Sequence, residues 1–314
     1  MEFTELNSLR GVSVIRWMIL GVIVFLAGLQ NIWAAKTEDH SARISEIREL
    51  SSRLKYETGD IHLSNGLATI KLTDSFRYVN PAGAETLLTG IWGNPPTGEK
   101  SLGMIVPAGF DPFDEHAWCV ILNYDDDGHI KDDDARTINY NDLLKEMQEG
   151  TRAANAERVK QGYSSIELVG WAAPPNYDAQ SHKFVWAKEL KFADNPGANT
   201  LNYSLRVLGR TGVLNLNIVS SMSDLSKIEK AAPEVLSMVE FDPGQRYADF
   251  KPGTDKMATY GLAALVAGGV AAKTGLLKGL FVALLAMKKL VIVGLVVVAS
   301  FVRKLFGGKP KSDS

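Results

Sequence analysis

The chain of 314 residues is 46% hydrophobic, and its formal charge of −2 hides a lopsided distribution. Residues 36–256 hold 24 basic and 33 acidic side chains, whereas 257–314 hold eight Lys or Arg and one Asp. So acidic a middle excludes nucleic acid as a natural partner, and the single cysteine, Cys119, excludes an internal disulfide.

At the start, Arg10 and Arg16 precede an apolar run from Trp17 to Leu29 that ends in Ala34 and Ala35. A basic region, an apolar core and small residues describe a secretory signal peptide over 1–35; left uncleaved, the run would serve as a short anchor. In 36–57, Ile44, Ile47, Leu50 and Leu54 recur at helical spacing among charges, which predicts an amphipathic helix.

Strand patterning then begins and extends to about 250. Ile61 to Leu72 reads as a hairpin turning at Asn65-Gly66. Pro81 opens a short helix over 82–88, Trp92 to Gly98 forms a rigid loop, and strands are expected over 103–106 and 118–124. Apolar neighbours place Cys119 in the core. Asn141 is expected to cap a helix over 142–161, with Leu143, Leu144, Met147, Ala154 and Val159 on its inner side. Four strands follow over 165–172, 183–192, 200–209 and 212–222, divided by Pro174-Pro175, Asn195 to Gly197 and Arg210 to Gly212. Their short connections predict antiparallel pairing. Ser223 or Asp224 caps a last helix to about Val239, and 241–255 reads as a linker. The elements together predict an α+β domain over 58–250: an antiparallel sheet with packed helices.

From Met257 to Phe306 there is no acidic side chain, and the residues are mostly Leu, Val, Ala, Gly and Ile. That is enough apolar chain for one or two membrane-spanning helices. Gly261, Ala264, Gly268 and Ala272 lie about four apart, a small-residue face on which a second membrane helix could pack. Lys288 and Lys289 interrupt the run and suggest an interface or a kink. The basic tail over 307–314, with Arg303 and Lys304 before it, belongs on the cytoplasmic side. The acidic domain is then expected outside the cytoplasm.

The sharpest local pattern runs from Asn123 to Asp134. Read as a twelve-residue calcium loop, it sets Asn123, Asp125 and Asp127 at positions 1, 3 and 5, Gly128 at the sharp turn, and Asp134 at position 12. Position 9 is Lys131 and position 12 lacks the longer Glu, so a solvated acidic turn is the alternative. No nucleophile elbow, phosphate-binding glycine loop or His/Cys metal spacing is present. His62, His116, His129 and His182 stand singly, Arg206 and Arg210 are expected to pair with acids, and Trp92, Trp118, Trp171 and Trp186 read as core.

Trp92 to Pro96, Asp127-Gly128, Lys131 to Ala135, Gly170-Trp171, Trp186 to Lys188, Leu201 to Tyr203, Arg206 to Arg210 and Arg246 to Phe250 occur in order, followed by Thr254 to Lys256 and Tyr260-Gly261. As an ordered set, over roughly 58–306, they resemble a bacterial family of uncharacterised membrane-anchored proteins, domain-of-unknown-function family 2167. The resemblance implies a bacterial envelope protein with a C-terminal anchor, and transfers no catalytic residue. Ile70, Leu72 and Phe76, with the later meander, also resemble the Mog1/PsbP-type α/β sandwich.

The function expected is a non-enzymatic binding or accessory domain anchored at the inner membrane, on the periplasmic side. The rivals are an enzyme whose site collects dispersed residues, such as two or more of His62, His116, Asp125 and Arg206, and a subunit of a membrane complex.

Overall fold

A computed structural model describes residues 43–94, 101–114, 116–195 and 197–268. The signal-like segment over 1–35, the loop residues 95–98, Ala272, Lys288, Lys289, and the rest of the apolar stretch and tail beyond Gly268 lie outside them. The chain divides into two units at Arg53. In the first, residues 43–52 form helix α1, as the spacing of its apolar residues predicts, with an Arg43–Glu46 ion pair at 2.8 Å on its surface.

Among the described residues, the second unit is built from ten strands. β1 (Asp60–His62), β2 (Ala68–Lys71) and β10 (Val239–Phe241) form a small antiparallel sheet in the order β1-β2-β10. β3 (Phe76–Val79), β4 (Met104–Pro107), β5 (Val120–Asp125), β6 (Ile166–Asp178), β7 (Lys183–Phe192), β8 (Thr200–Leu208) and β9 (Val213–Ser221) form the large one. Its order is β3-β4-β5-β9-β8-β7-β6, antiparallel throughout. The helices are α2 (Pro81–Glu85), continued by a π-turn over Thr86–Ile91, then α3 (Tyr140–Lys160), α4 (Leu225–Met238) and α5 (Leu262–Ala267). The architecture is α+β, with helices packed on antiparallel sheets.

Several local expectations shift. The β1–β2 connection is a 3₁₀ turn over Ser64–Gly66, longer than a two-residue hairpin turn. Asn139 caps α3, its side-chain oxygen accepting from the N–H groups of Asn141 and Asp142, so the helix starts two residues earlier than expected. Val159 is exposed, and its neighbour Arg158 is buried instead, with Nε and Nη2 donating to the Ser164 carbonyl. Pro174 and Pro175 lie inside β6, which runs to Asp178. A proline lacks the N–H a central strand needs, but β6 is the edge of the sheet and its pairing with β7 is irregular there. Side chains of α3 bond to the first residues of that edge. Asn155 exchanges two hydrogen bonds of 2.8 Å with the Ile166 backbone, and Gln148 donates to the Leu168 and Val169 carbonyls. Covering an edge in this way blocks pairing with another chain.

The large sheet has two unlike faces. On the apolar face, Leu122, Leu201, Leu205, Leu214, Leu216 and Ile218 bury themselves against Ile228, Ala232 and Val235 of α4 and against the small sheet. Lys183 secures the end of α4 by donating from Nζ to the Leu236 carbonyl, a cation at a helix C-terminus. On the mixed face, alternation along the strands brings up Phe184, Trp186, Lys188 and Leu190 from β7, and Asn202, Ser204 and Arg206 from β8. It also brings up Asn215 and Asn217 from β9, and Asn123 and Asp125 from β5. Tyr140, Leu143, Leu144 and Met147 of α3 cover one part of this face, and Tyr260, Leu262, Leu265 and Val266 cover another.

That last contact redraws the domain boundary. The stretch over 241–255, expected as a linker, holds the ion pair of Arg210 with Asp255. The first residues assigned to the membrane anchor are packed in the domain core: Leu262 is fully buried and Val266 nearly so. Gly261 precedes α5 and Gly268 ends it with φ of 121°, so these two flank the helix instead of lining one face of a longer one. Among the described residues, no helix is long and apolar enough to cross a membrane.

Candidate functional site

The acidic loop is placed by its glycine. Gly128 has φ of 107°, and a Cβ there would lie 2.7 Å from the Met257 carbonyl carbon. Its absence lets the strand-like run 256–258 lie against the loop: the His129 N–H donates to the Lys256 carbonyl, and the Ala258 N–H donates to the His129 carbonyl. Each carboxylate of the calcium pattern then meets a different partner. Asp125 accepts from the Asn215 amide at 2.8 Å and Asp127 from the Tyr260 hydroxyl at 2.6 Å. Asp134 accepts from the N–H groups of Leu262 and Ala263, capping α5. Asn123 stands on β5 opposite Asn215. Among the described residues, no group of three or more His, Cys, Asp or Glu side chains is arranged to hold a metal ion.

Beside this loop four rings stack in a column. His182, Tyr247, His129 and Phe250 succeed one another at centroid distances of 3.9, 4.2 and 4.1 Å. Asp132 lies at the edge of the column, accepting from the Tyr177 hydroxyl at 2.7 Å and standing 3.5 Å from His182 Nδ1. Burial alone would raise the Asp132 carboxyl, but hydrogen bonds from Tyr177 and Tyr247 and the nearby His182 outweigh it and hold the group below its usual range. Tyr177 is pushed well up by burial and by its bond to Asp132. Burial lowers the His129 ring below its ordinary value, with backbone hydrogen bonds and Asp132 partly opposing. His182 is the one described non-glycine residue with a left-handed backbone, at φ of 53°. Such strain persists only where surrounding contacts impose it. Asp132 and His182 are each 27% exposed, so the column opens to solvent. No Ser, Thr or Cys of the described residues is bonded to either group.

A second set of groups lies on the mixed face of the sheet. Lys188 is 5% exposed, standing between Trp186 and Leu190 on one side of β7, both of which pack beside Met147 of α3. Arg206 lies across the Trp186 ring, its guanidinium 4.9 Å from the centroid, and Nη1 donates to the Leu205 carbonyl. Burial, and then repulsion from Arg206, pushes Lys188 down to about 8. Burial lowers Arg206 to about 10, with Asp125 partly opposing. Trp186 is 1% exposed, and its Nε1 has no hydrogen-bond acceptor. Among the described residues neither cation forms an ion pair. Arg206 therefore departs from expectation. Arg210 conforms to it: Nε and Nη2 each lie 2.7 Å from an oxygen of Asp255, which is held at about 2.

The remaining expected groups are scattered. His62 meets Thr69 at 3.1 Å on the small sheet, and His116 meets Asp224 at 3.1 Å before α4. Asp125 and Arg206 share the mixed face, but neither histidine joins them. Cys119 is buried and its thiol is raised to about 12, which keeps it inert. Trp92 and Trp118 line a small buried cavity with Asn94 and Cys119. The groups that reading the sequence missed are Lys188 and the column. Lys188 did leave a signal, because it shares the alternation of Phe184, Trp186, Leu190 and Phe192. The column left none, since its members come from three separate stretches, 129–132, 177–182 and 247–250.

An α+β domain whose antiparallel meander is covered on both faces, with no nucleophile or metal cage assembled among the described residues, is the class that these features define. The chain belongs to the family described as protein of unknown function, DUF2167, whose profile matches residues 55–299. No curated protein matches it. It is similar to the solution structure of cyanobacterial PsbP from Synechocystis sp. PCC 6803, at 11% identity and a TM-score of 0.32. That match covers 60% of this chain and 92% of the other.

Proposed function

We propose that this is a bacterial envelope protein whose α+β domain is a non-enzymatic binding or accessory module, held at the inner membrane by the part of the apolar stretch 257–306 that follows Gly268 and lying on the periplasmic side. The observation that carries the reading is the packing of α5. The apolar stretch begins inside the domain, where Asp134 caps its first helix and Leu262, Leu265 and Val266 are buried. A domain joined so directly to a membrane segment keeps a fixed attitude to it, as an accessory subunit needs and a freely diffusing enzyme does not. The commitment of Asp125, Asp127 and Asp134 to internal partners supports the same reading.

The test is a pair of reporter fusions after Gly268, with crosslinking and capture from membranes. A periplasmic reporter should be active there and a cytoplasmic one silent, and a defined partner should be recovered with the full-length chain. The reverse reporter pattern would overturn the location, and recovery of the chain alone would overturn the accessory role. A second reading, an enzyme with a dispersed site, is favoured by the Asp132, Tyr177 and His182 contacts and the strained His182 backbone. A hydrolytic activity lost in Asp132→Asn with an unchanged melting temperature would establish it.

A further inference from the structure

We propose that Lys188, Trp186 and Arg206 form a binding site for an anionic group, a carboxylate or a phosphate, on the mixed face of the large sheet. It deepens the reading of the domain as a binding module by naming the ligand's chemistry. All three side chains are donors, and none can accept a hydrogen bond in its usual state. Among the described residues, Trp186 Nε1 is buried with no acceptor, and Lys188 is buried with no carboxylate beside it. Lys188 and Arg206 are close enough to repel each other. Buried charge of one sign, left unbalanced, is strongly unfavourable. A water could accept from two of these donors but would leave both charges standing.

The nearest acid does not supply the balance. Asp125 is exposed and acts on Arg206 only at a distance, while its Oδ2 accepts from Asn215. The chain's own apolar end brings no counterion either, since no Asp or Glu occurs after Asp255 until Asp313. Around the donors, cross-strand register sets Asn202 opposite Lys188 and Ser204 opposite Trp186, so amide and hydroxyl groups stand on the β8 side while Leu190 and Met147 supply apolar walls. Two cations, an indole N–H and neutral polar neighbours are the groups that hold a carboxylate or a phosphate.

The test uses the full-length chain in low-salt buffer, titrated with sodium phosphate or sodium acetate and with sodium chloride at matched ionic strength as the reference. The melting temperature should rise saturably with one or both anions beyond the chloride reference, by roughly 5 °C or more at a hundredfold excess over Kd. The anion that saturates at lower concentration identifies the ligand chemistry. Lys188→Met should abolish the rise. A second measurement does not depend on that variant folding: the Trp186 indole proton, assigned through Trp186→Phe, should shift saturably in NMR spectra of the unmodified chain. No rise beyond chloride, a rise retained in Lys188→Met, or an indole resonance that does not move would each overturn the site. The titration involves no partner and no membrane orientation, so its failure and that of the accessory role are separately visible.

Discussion

The two faces of the large sheet solve the same burial problem in different ways. The apolar face sets Leu205, Leu214 and Leu216, all fully buried, against a helix and a second sheet. Its stability comes from apolar area removed from water, about 25 cal/mol per Å². The mixed face buries Phe184 and Trp186 beside Lys188, Arg206, Asn202 and Ser204, and it closes with α3 and with the short α5 from the chain's apolar end. A face built only for stability would not bury a lysine without an acid. The contrast separates a scaffold from a surface whose composition needs another explanation.

Removing the cover of the mixed face should have the largest effect. Truncation after Phe250 deletes Asp255 and the buried Tyr260, Leu262, Leu265 and Val266, while leaving every residue of the apolar face in place. With ~1.5–3 kcal/mol for each large buried side chain, the loss approaches the whole ~5–15 kcal/mol of a typical domain. A chain ending at Gly268 should melt cooperatively, and one ending at Phe250 should not. Equal melting of the two would mean that the mixed face needs no such cover.

Single substitutions sharpen the contrast further. Leu205→Ala on the apolar face should cost ~2–5 kcal/mol in urea unfolding, because a fully buried side chain leaves a cavity. Lys188→Met on the mixed face, in buffer free of binding anions at pH 7, should be neutral or stabilising by ~1–3 kcal/mol, since it replaces an unbalanced charge by a similar apolar volume. A loss as large as that of Leu205→Ala would show that Lys188 is structurally paired.

The same lysine predicts a pH dependence. Its folded value of about 8 lies below the ordinary 10.5, so between them the unfolded chain holds the extra proton. Stability should therefore rise as pH increases through that window, by up to ~3 kcal/mol, and the penalty should be fully present below pH 8. Comparing the unmodified chain with Lys188→Met isolates this from tyrosine ionisation; parallel profiles would refute it.

Asp134→Ala removes the cap of α5 and should cost ~1 kcal/mol, visible as a small fall in melting temperature with the apolar face untouched. The smallest effect expected is that of calcium. With Asp125, Asp127 and Asp134 bonded to Asn215, Tyr260 and the start of α5, millimolar calcium and chelator should give the same melting curve. A saturable calcium shift lost in Asp125→Asn would show that these bonds give way to the ion.

Much of this molecule was determined by sequence alone, where the information is local. The meander over 166–221, α3, α4 and the burial of Cys119 follow from alternation, periodicity and turn residues within a few positions of each other. Tertiary structure decided what local patterns cannot carry. Gly128 has the same spacing whether it bends a chain around calcium or admits the backbone of Met257, and only the approach of 256–258 settles its use. Leu262 to Ala267 are as apolar as the stretch that follows them, and only the mixed face, with Asp134 waiting at its edge, makes them core. The column needs Asp132, Tyr177, His182 and Tyr247 from distant stretches, and Lys188, whose alternation with Trp186 is legible in the sequence, gains its cationic neighbour only once Arg206 proves to lie across that ring. Periodicity specifies which side of a strand a residue takes; what lies across that side depends on contacts between residues far apart in the chain.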